Sequence, residues 1–174
     1  TVIDAAGKFL LPGGIDVHTH LELPFGGTVS SDDFFTGHRA AAFGGTTSHI
    51  DFVIQPIGGT LKEGIDAWHA KARPKAAIDY GFHVAITDLR DDVMAEIPSV
   101  VDEGITSLKL FMAYKGVFQV DDTTLFRAMQ VAAQHGLLVM VHAENGDVIA
   151  ELAPKLLAEG KTDPKYHAVA HPAL

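Results

Sequence analysis

The sequence contains no cysteine, which excludes disulfides and thiolate metal sites and fits a reducing, cytoplasmic compartment. Basic residues are scarce: 13 Lys+Arg against 22 Asp+Glu give a net charge of −9 with histidine neutral. A chain this acidic, without a Lys/Arg cluster, is repelled by phosphate backbones, so nucleic acid is not an expected partner. No apolar run approaches the roughly 18–20 residues that cross a bilayer, and no membrane partner is expected. Low-complexity tracts are missing too. What is present, 174 residues at 47% hydrophobic, can build one sizeable core of an ordinary soluble globular class. Any metal must be held by imidazole, carboxylate or a less usual ligand, and ten histidines are a generous supply.

Short apolar, β-branched runs occur at 14–17, 46–54, 80–86, 105–112 and 137–142. Between them, stretches with helical periodicity span 31–43, 61–73, 91–103, 123–135 and 147–159. Ser30 or Ser31, Asp91 and Asp121 or Asp122 are expected N-caps, and Gly44, Gly104, Gly136 and Gly160 fall where helices end. A strand and helix repeating about every 26–34 residues signals βαβ units and a parallel sheet. Runs such as Leu137-Leu138-Val139-Met140-Val141 are apolar on both faces, as strands covered by helices should be. A doubly wound sheet would carry a glycine turn for phosphate after its first strand, but His18-Thr19-His20 follows Val17. The expected fold is therefore α/β, a partial (β/α)8 barrel. A whole barrel needs about 250 residues. The chain is accordingly expected to be a piece of a larger enzyme: residues 1–11 as the tail of a preceding β element, and 12–174 as the first five βα units.

Three constellations sit at strand ends, where barrels place their chemistry. In Pro12-Gly13-Gly14-Ile15-Asp16-Val17-His18-Thr19-His20, alternation along a strand puts His18 and His20 on one side, able to close on one metal ion. Asp16 reads as a structural acceptor. In Ser107-Leu108-Lys109-Leu110-Phe111-Met112-Ala113-Tyr114-Lys115, a lysine interrupts an apolar strand. Burying an ammonium is costly, so Lys109 must pair or lose its proton. That leaves three readings: a salt-bridged structural lysine, a Schiff-base lysine, and a lysine carboxylated by CO₂. In Val141-His142-Ala143-Glu144-Asn145-Gly146-Asp147, His142 reads as a ligand, with Glu144 and Asn145 as its hydrogen-bonding support. The other histidines read as structural. His38, His69 and His135 are expected to be exposed on helices, His49 and His83 hydrogen-bonded in the core, and His167 and His171 in an irregular tail. Trp68, Phe34, Phe35, Phe43 and Phe126 are expected to fill the core.

Together with Pro24-Phe25-Gly26-Gly27-Thr28 and Gly44-Gly45-Thr46-Thr47, these motifs resemble the amidohydrolase superfamily. The stretches around Lys109 and His142 narrow the resemblance to the dihydropyrimidinase/D-hydantoinase family, over nearly the whole chain. It implies an enzyme that opens cyclic amides or imides to N-carbamoyl amino acids through a hydroxide bridging two zinc ions, other divalent metals being acceptable. His18 and His20 would bind the first metal, a CO₂-derived carbamate on Lys109 would bridge both, and His142 would bind the second. Tyr114 would hydrogen-bond the oxyanion, and Leu23, Phe25 and Phe118 would shape the substrate pocket. A homotetramer is implied, acting on a small cyclic substrate. The family's further metal-binding histidine and catalytic aspartate are expected beyond the last residue here, and His171-Pro172 departs from the family's usual Ser-Arg-Pro. The alternative is a non-catalytic scaffold of the same fold, as in the collapsin response mediator proteins, which have lost metal ligands.

Overall fold

The alternation of apolar runs and helical stretches is realised as β1 (Gly14–Thr19), a hairpin of β2 (Pro24–Phe25) and β3 (Thr28–Val29), α1 (Phe34–Phe43), β4 (Thr46–Ile54), α2 (Leu61–Ala72) and β5 (Asp79–Ala85). Then come α3 (Asp91–Met94), α4 (Ile97–Asp102), β6 (Ser107–Phe111), α5 (Asp122–His135), β7 (Leu138–His142), α6 (Gly146–Ala158), a 3-10 turn (Pro164–Tyr166) and α7 (His167–Ala170). A computed structural model describes residues 1–173. The five long strands form one sheet in the order β1-β4-β5-β6-β7, with β1 parallel to β4, β5 to β6 and β6 to β7. Residues 1–11, expected as the tail of a β element, form no strand and are exposed. The chain falls into two compact units, Thr1–Phe52 with His69–Phe82, and Val53–Trp68 with the chain from His83 onward.

Local chemistry explains where the elements begin and end. Helix α1 starts at Asp33 rather than at Ser30 or Ser31, because Asp33 and Thr36 cap each other reciprocally. The single helix expected at 91–103 is two. Pro98 lacks the N–H that would bond to the Met94 carbonyl, and the chain breaks between α3 and α4. Glu96, at that break, accepts from the N–H groups of Leu61 and Lys62 and caps α2. Asp121 caps α5, and Gly136 ends it in the left-handed conformation.

The core of the second unit is aliphatic, built on β6, which is buried along its whole length, with Val84, Ile86, Val93 and Ile97. Among its polar members, Gln55, His83 and Ser107 are paired. Gln55 donates to the carbonyls of Gly59 and Asp88 and accepts from the N–H groups of Thr87 and Asp88, and His83 pairs with Ser107. Strand β7 departs from expectation: Leu138 is exposed and the rest only half-buried.

The core of the first unit is aromatic and polar. Phe34 and Phe52 are fully buried, and His38, expected on the surface, is 1% exposed. One turn of α1 separates Phe34 from His38, so both face inward. Phe43 lies nine residues on, about half a revolution away, and is exposed; Phe35, beside Phe34, and Phe126, on α5, are exposed as well. These three are corrections to the expected core, whereas Phe34 and Trp68 belong to it. His38 Nε2 meets His49 Nε2 at 2.6 Å, and Ala77 N–H donates to His38 Nδ1 at 2.9 Å.

Burial first, and then the neighbouring His38, lower the His49 imidazole from 6.5 to about 4; burial also lowers His38. A base depressed in this way stays neutral in the fold while the unfolded chain takes up a proton. Its stabilising contribution is full above pH 6.5 and is lost as pH falls towards 4, by about 3 kcal/mol for His49. Urea midpoints should therefore drop steadily between pH 6.5 and 4, and His49→Gln should flatten that slope. A midpoint constant across the window would contradict a neutral pair.

Candidate active site

Strand alternation sends His18 and His20 to the side of β1 opposite Thr19. Both imidazoles pack on Phe52, with ring centroids 4.5 and 4.9 Å from its own, and lie 5.1 Å from each other. Two imidazoles on one tetrahedral zinc, at ordinary Zn–N bond lengths, place their centroids about 5 Å apart. The pair thus has the spacing, and both residues the exposure, that a shared metal requires. Asp16 Oδ1 accepts the His18 N–H at 3.1 Å, a backbone role of the kind expected for it.

In the second unit the predicted residues gather around Phe111. Lys109 and Phe111 share a side of β6, and the register sets Phe111 beside His142 of β7. Lys109 Nζ lies 4.9 Å from the Phe111 ring centre, the His142 ring stacks on it at 5.8 Å, and Tyr114 and Phe118 approach at 5.8 and 5.2 Å. Tyr114 reaches this cluster through a left-handed backbone (φ 67°), a conformation costing a non-glycine residue on the order of 1 kcal/mol. The N–H groups of Val117 and Phe118 hold that turn by donating to its carbonyl at 2.9 and 3.0 Å.

The electrostatics suit the roles. Lys109 is 7% exposed, and burial lowers its proton affinity. Burial, and then the charge of Glu144, raise Tyr114, which keeps its hydroxyl protonated and able to donate. Glu144 holds Nε2 of His142, and this bond draws the carboxyl below its usual range. A carboxylate on one ring nitrogen orients the ring and directs Nδ1 as the nitrogen that a metal could use. Asn145 caps α6 by accepting from Val148 N–H at 3.2 Å. Helix α6 begins so close to the end of β6 that a Cβ on Gly146 would fall 2.6 Å from the Met112 carbonyl oxygen.

The pocket residues are spread out. Leu23 and Phe25 belong to the hairpin, where Leu23 N–H donates to Ser30 Oγ and Phe25 is exposed. Phe118 is buried with Phe111 and Ala85 and serves as packing for the cluster. Among the described residues, no group of three or more His, Cys, Asp or Glu side chains is arranged to hold a metal ion. His18 and His20 are brought together in one unit; Lys109, Tyr114 and His142 are brought together in the other. Sequence reasoning passed over Phe111 as the hub and Asp51 as a buried anchor beneath β1. The legible signal for Asp51 was the alternation His49, Asp51 running into the apolar end of the strand, which marks a polar side turned inward.

The profile of the Amidohydrolase family matches residues 9–172. The chain belongs to this family. The chain is 59% identical to a D-hydantoinase of Geobacillus stearothermophilus over 98% of its length, covering 36% of that protein. It is 46% identical to a dihydropyrimidinase of Rattus norvegicus, covering 98% of itself and 33% of the relative. The crystal structure of dihydropyrimidinase from Brevibacillus agri NCHU1002 superposes with a TM-score of 0.95 at 60% identity, over 98% of this chain and 37% of that one. The chain thus spans about a third of the length of the curated relatives it matches. With that match the fold class is α/β, a partial (β/α)8 barrel.

Proposed function

We propose that the protein is a cyclic amidase that opens dihydropyrimidines or hydantoins to N-carbamoyl amino acids, with a pair of divalent metal ions, zinc first among them. Lys109 carries the reading: a lysine 7% exposed, in a fully buried strand, in a chain 59% identical to a D-hydantoinase. His18, His20 and His142 would supply imidazole nitrogens to the metals. Bound there, the pair would supply an activated water near neutral pH and polarise the scissile carbonyl.

The chain's own residues do the rest. An unprotonated Lys109 amine adds through its lone pair to the carbon of CO₂ and releases one proton, which turns a neutral buried amine into a carbamate anion with two oxygens. Tyr114, kept protonated, donates its hydroxyl to the oxygen on which charge builds as the ring amide is attacked. Glu144 fixes the His142 ring. Phe111 and Phe118 wall the cluster with apolar surface, which strengthens each electrostatic contact made beside it.

The full-length protein, incubated with dihydrouracil and with hydantoin, should release a carbamoyl product and contain near two metal equivalents. Tyr114→Phe should lower kcat about 10²-fold while leaving metal content unchanged. A protein without metal and without turnover of either ring would instead be the scaffold.

A further inference from the structure

Beneath His18 and His20 lies a hydrogen-bonded chain in which each proton has one consistent place. Ala77 N–H donates to His38 Nδ1 at 2.9 Å, so a neutral His38 carries its proton on Nε2. That proton points at His49 Nε2, 2.6 Å away, which must then accept. His49 therefore carries its own proton on Nδ1 and donates it to Thr19 Oγ1 at 2.7 Å. The Thr19 hydroxyl donates onward to Asp51 Oδ2 at 2.9 Å, a shorter contact than the Ile50 carbonyl at 3.4 Å. Asp51, 0% exposed, also accepts from Leu21 N–H on Oδ2 at 2.8 Å and from Phe52 N–H on Oδ1 at 2.8 Å.

Two features give this chain a purpose beyond filling a core. Asp51 grips both neighbours of His20, the Thr19 side chain and the Leu21 backbone. It does so where the ladder is irregular: Asp16 pairs with His49 but Thr19 with Asp51, so three steps along β1 match two along β4. Regular pairing cannot set the rotation of such a strand end, and bulges of this kind re-aim side chains. Thr19 points away from His18 and His20, so fixing its hydroxyl fixes the direction in which the two imidazoles project.

We propose that Asp51, Thr19 and the His38–His49 pair are positioning residues whose one-way relay aims His18 and His20 at their metal ion. This rests on the metal site proposed above. The test is zinc affinity of the full-length protein, measured with zinc alone against a chromophoric chelator. Thr19→Val should weaken binding 10- to 100-fold, the effect of losing support behind a metal ligand, with unchanged circular dichroism. Thr19→Ser, which keeps the hydroxyl, should bind near wild type. Asp51→Asn, which keeps the shape but not the charge, should weaken binding similarly and serves should Thr19→Val misfold. NMR of the protein labelled with ¹⁵N-histidine should show the Nδ1–H tautomer for His49 and the Nε2–H tautomer for His38. Undiminished zinc affinity in both Thr19→Val and Asp51→Asn, or the opposite His49 tautomer, overturns the relay alone. A wild-type protein that binds no zinc overturns the metal site and the relay with it.

Discussion

Replacing Lys109 with alanine in the full-length protein should abolish metal loading and lower turnover by at least ~10³-fold, about 4 kcal/mol of transition-state stabilisation. The size follows from position. Lys109 sits in a strand buried from Ser107 to Phe111, with His142 on the neighbouring strand as a further candidate ligand in that unit. Alanine removes the nitrogen on which a bridging carbamate would form but leaves the apolar strand able to fold. Two further substitutions separate the competing readings of a buried lysine. Lys109→Arg keeps the charge and would preserve a structural ion pair, yet a guanidinium does not form the carbamate, so zinc should still be lost. Lys109→Met keeps the packing and should lose zinc while retaining the thermal midpoint. Short carboxylic acids, whose two oxygens resemble those of the carbamate, should return part of the activity to Lys109→Ala. Zinc content equal to wild type in Lys109→Ala would rule out the bridging role.

Much of this arrangement could be read from the residues because strands and their ends follow local rules. The apolar runs, the Asp121 cap and the Gly136 stop each depend on a few neighbours, and the positions of His18 and His142 at strand ends and of Lys109 within its strand came with them. What escaped depends on which helix face meets which strand. His38 looks polar and helical in sequence, and only the inward facing of the Phe34–His38 side and the reach of Ala77 show it to be a buried partner of His49. Phe35, Phe43 and Phe126 failed the opposite way, apolar residues on faces that the described residues leave open. The role of Asp51, as distinct from its inward side, escaped for a third reason. Its partners, Thr19 and Leu21, lie some thirty residues away, and only the irregular register of β1 on β4 brings them within reach.

The 174-residue polypeptide expressed by itself should collect in the insoluble fraction or elute as large aggregates. Strands β1 and β7 stand at the two ends of the sheet, so among the described residues each has a neighbouring strand on one side only. The side chains there do not protect them. Ile15 and Val17 on β1 are 66% and 56% exposed, and Leu138 on β7 is 64% exposed, with Phe9 and Leu10 exposed just before β1. Natural edge strands are guarded by lysine, proline or a covering loop, and neither of these carries a lysine or a proline. Lysine at Ile15 and Leu138 should therefore raise the soluble fraction several-fold without altering the interior, because neither residue belongs to the buried core. Sedimentation velocity decides the matter: a single sharp monomer boundary for the unmodified 174-residue chain would mean that these edges are better protected than their exposure indicates.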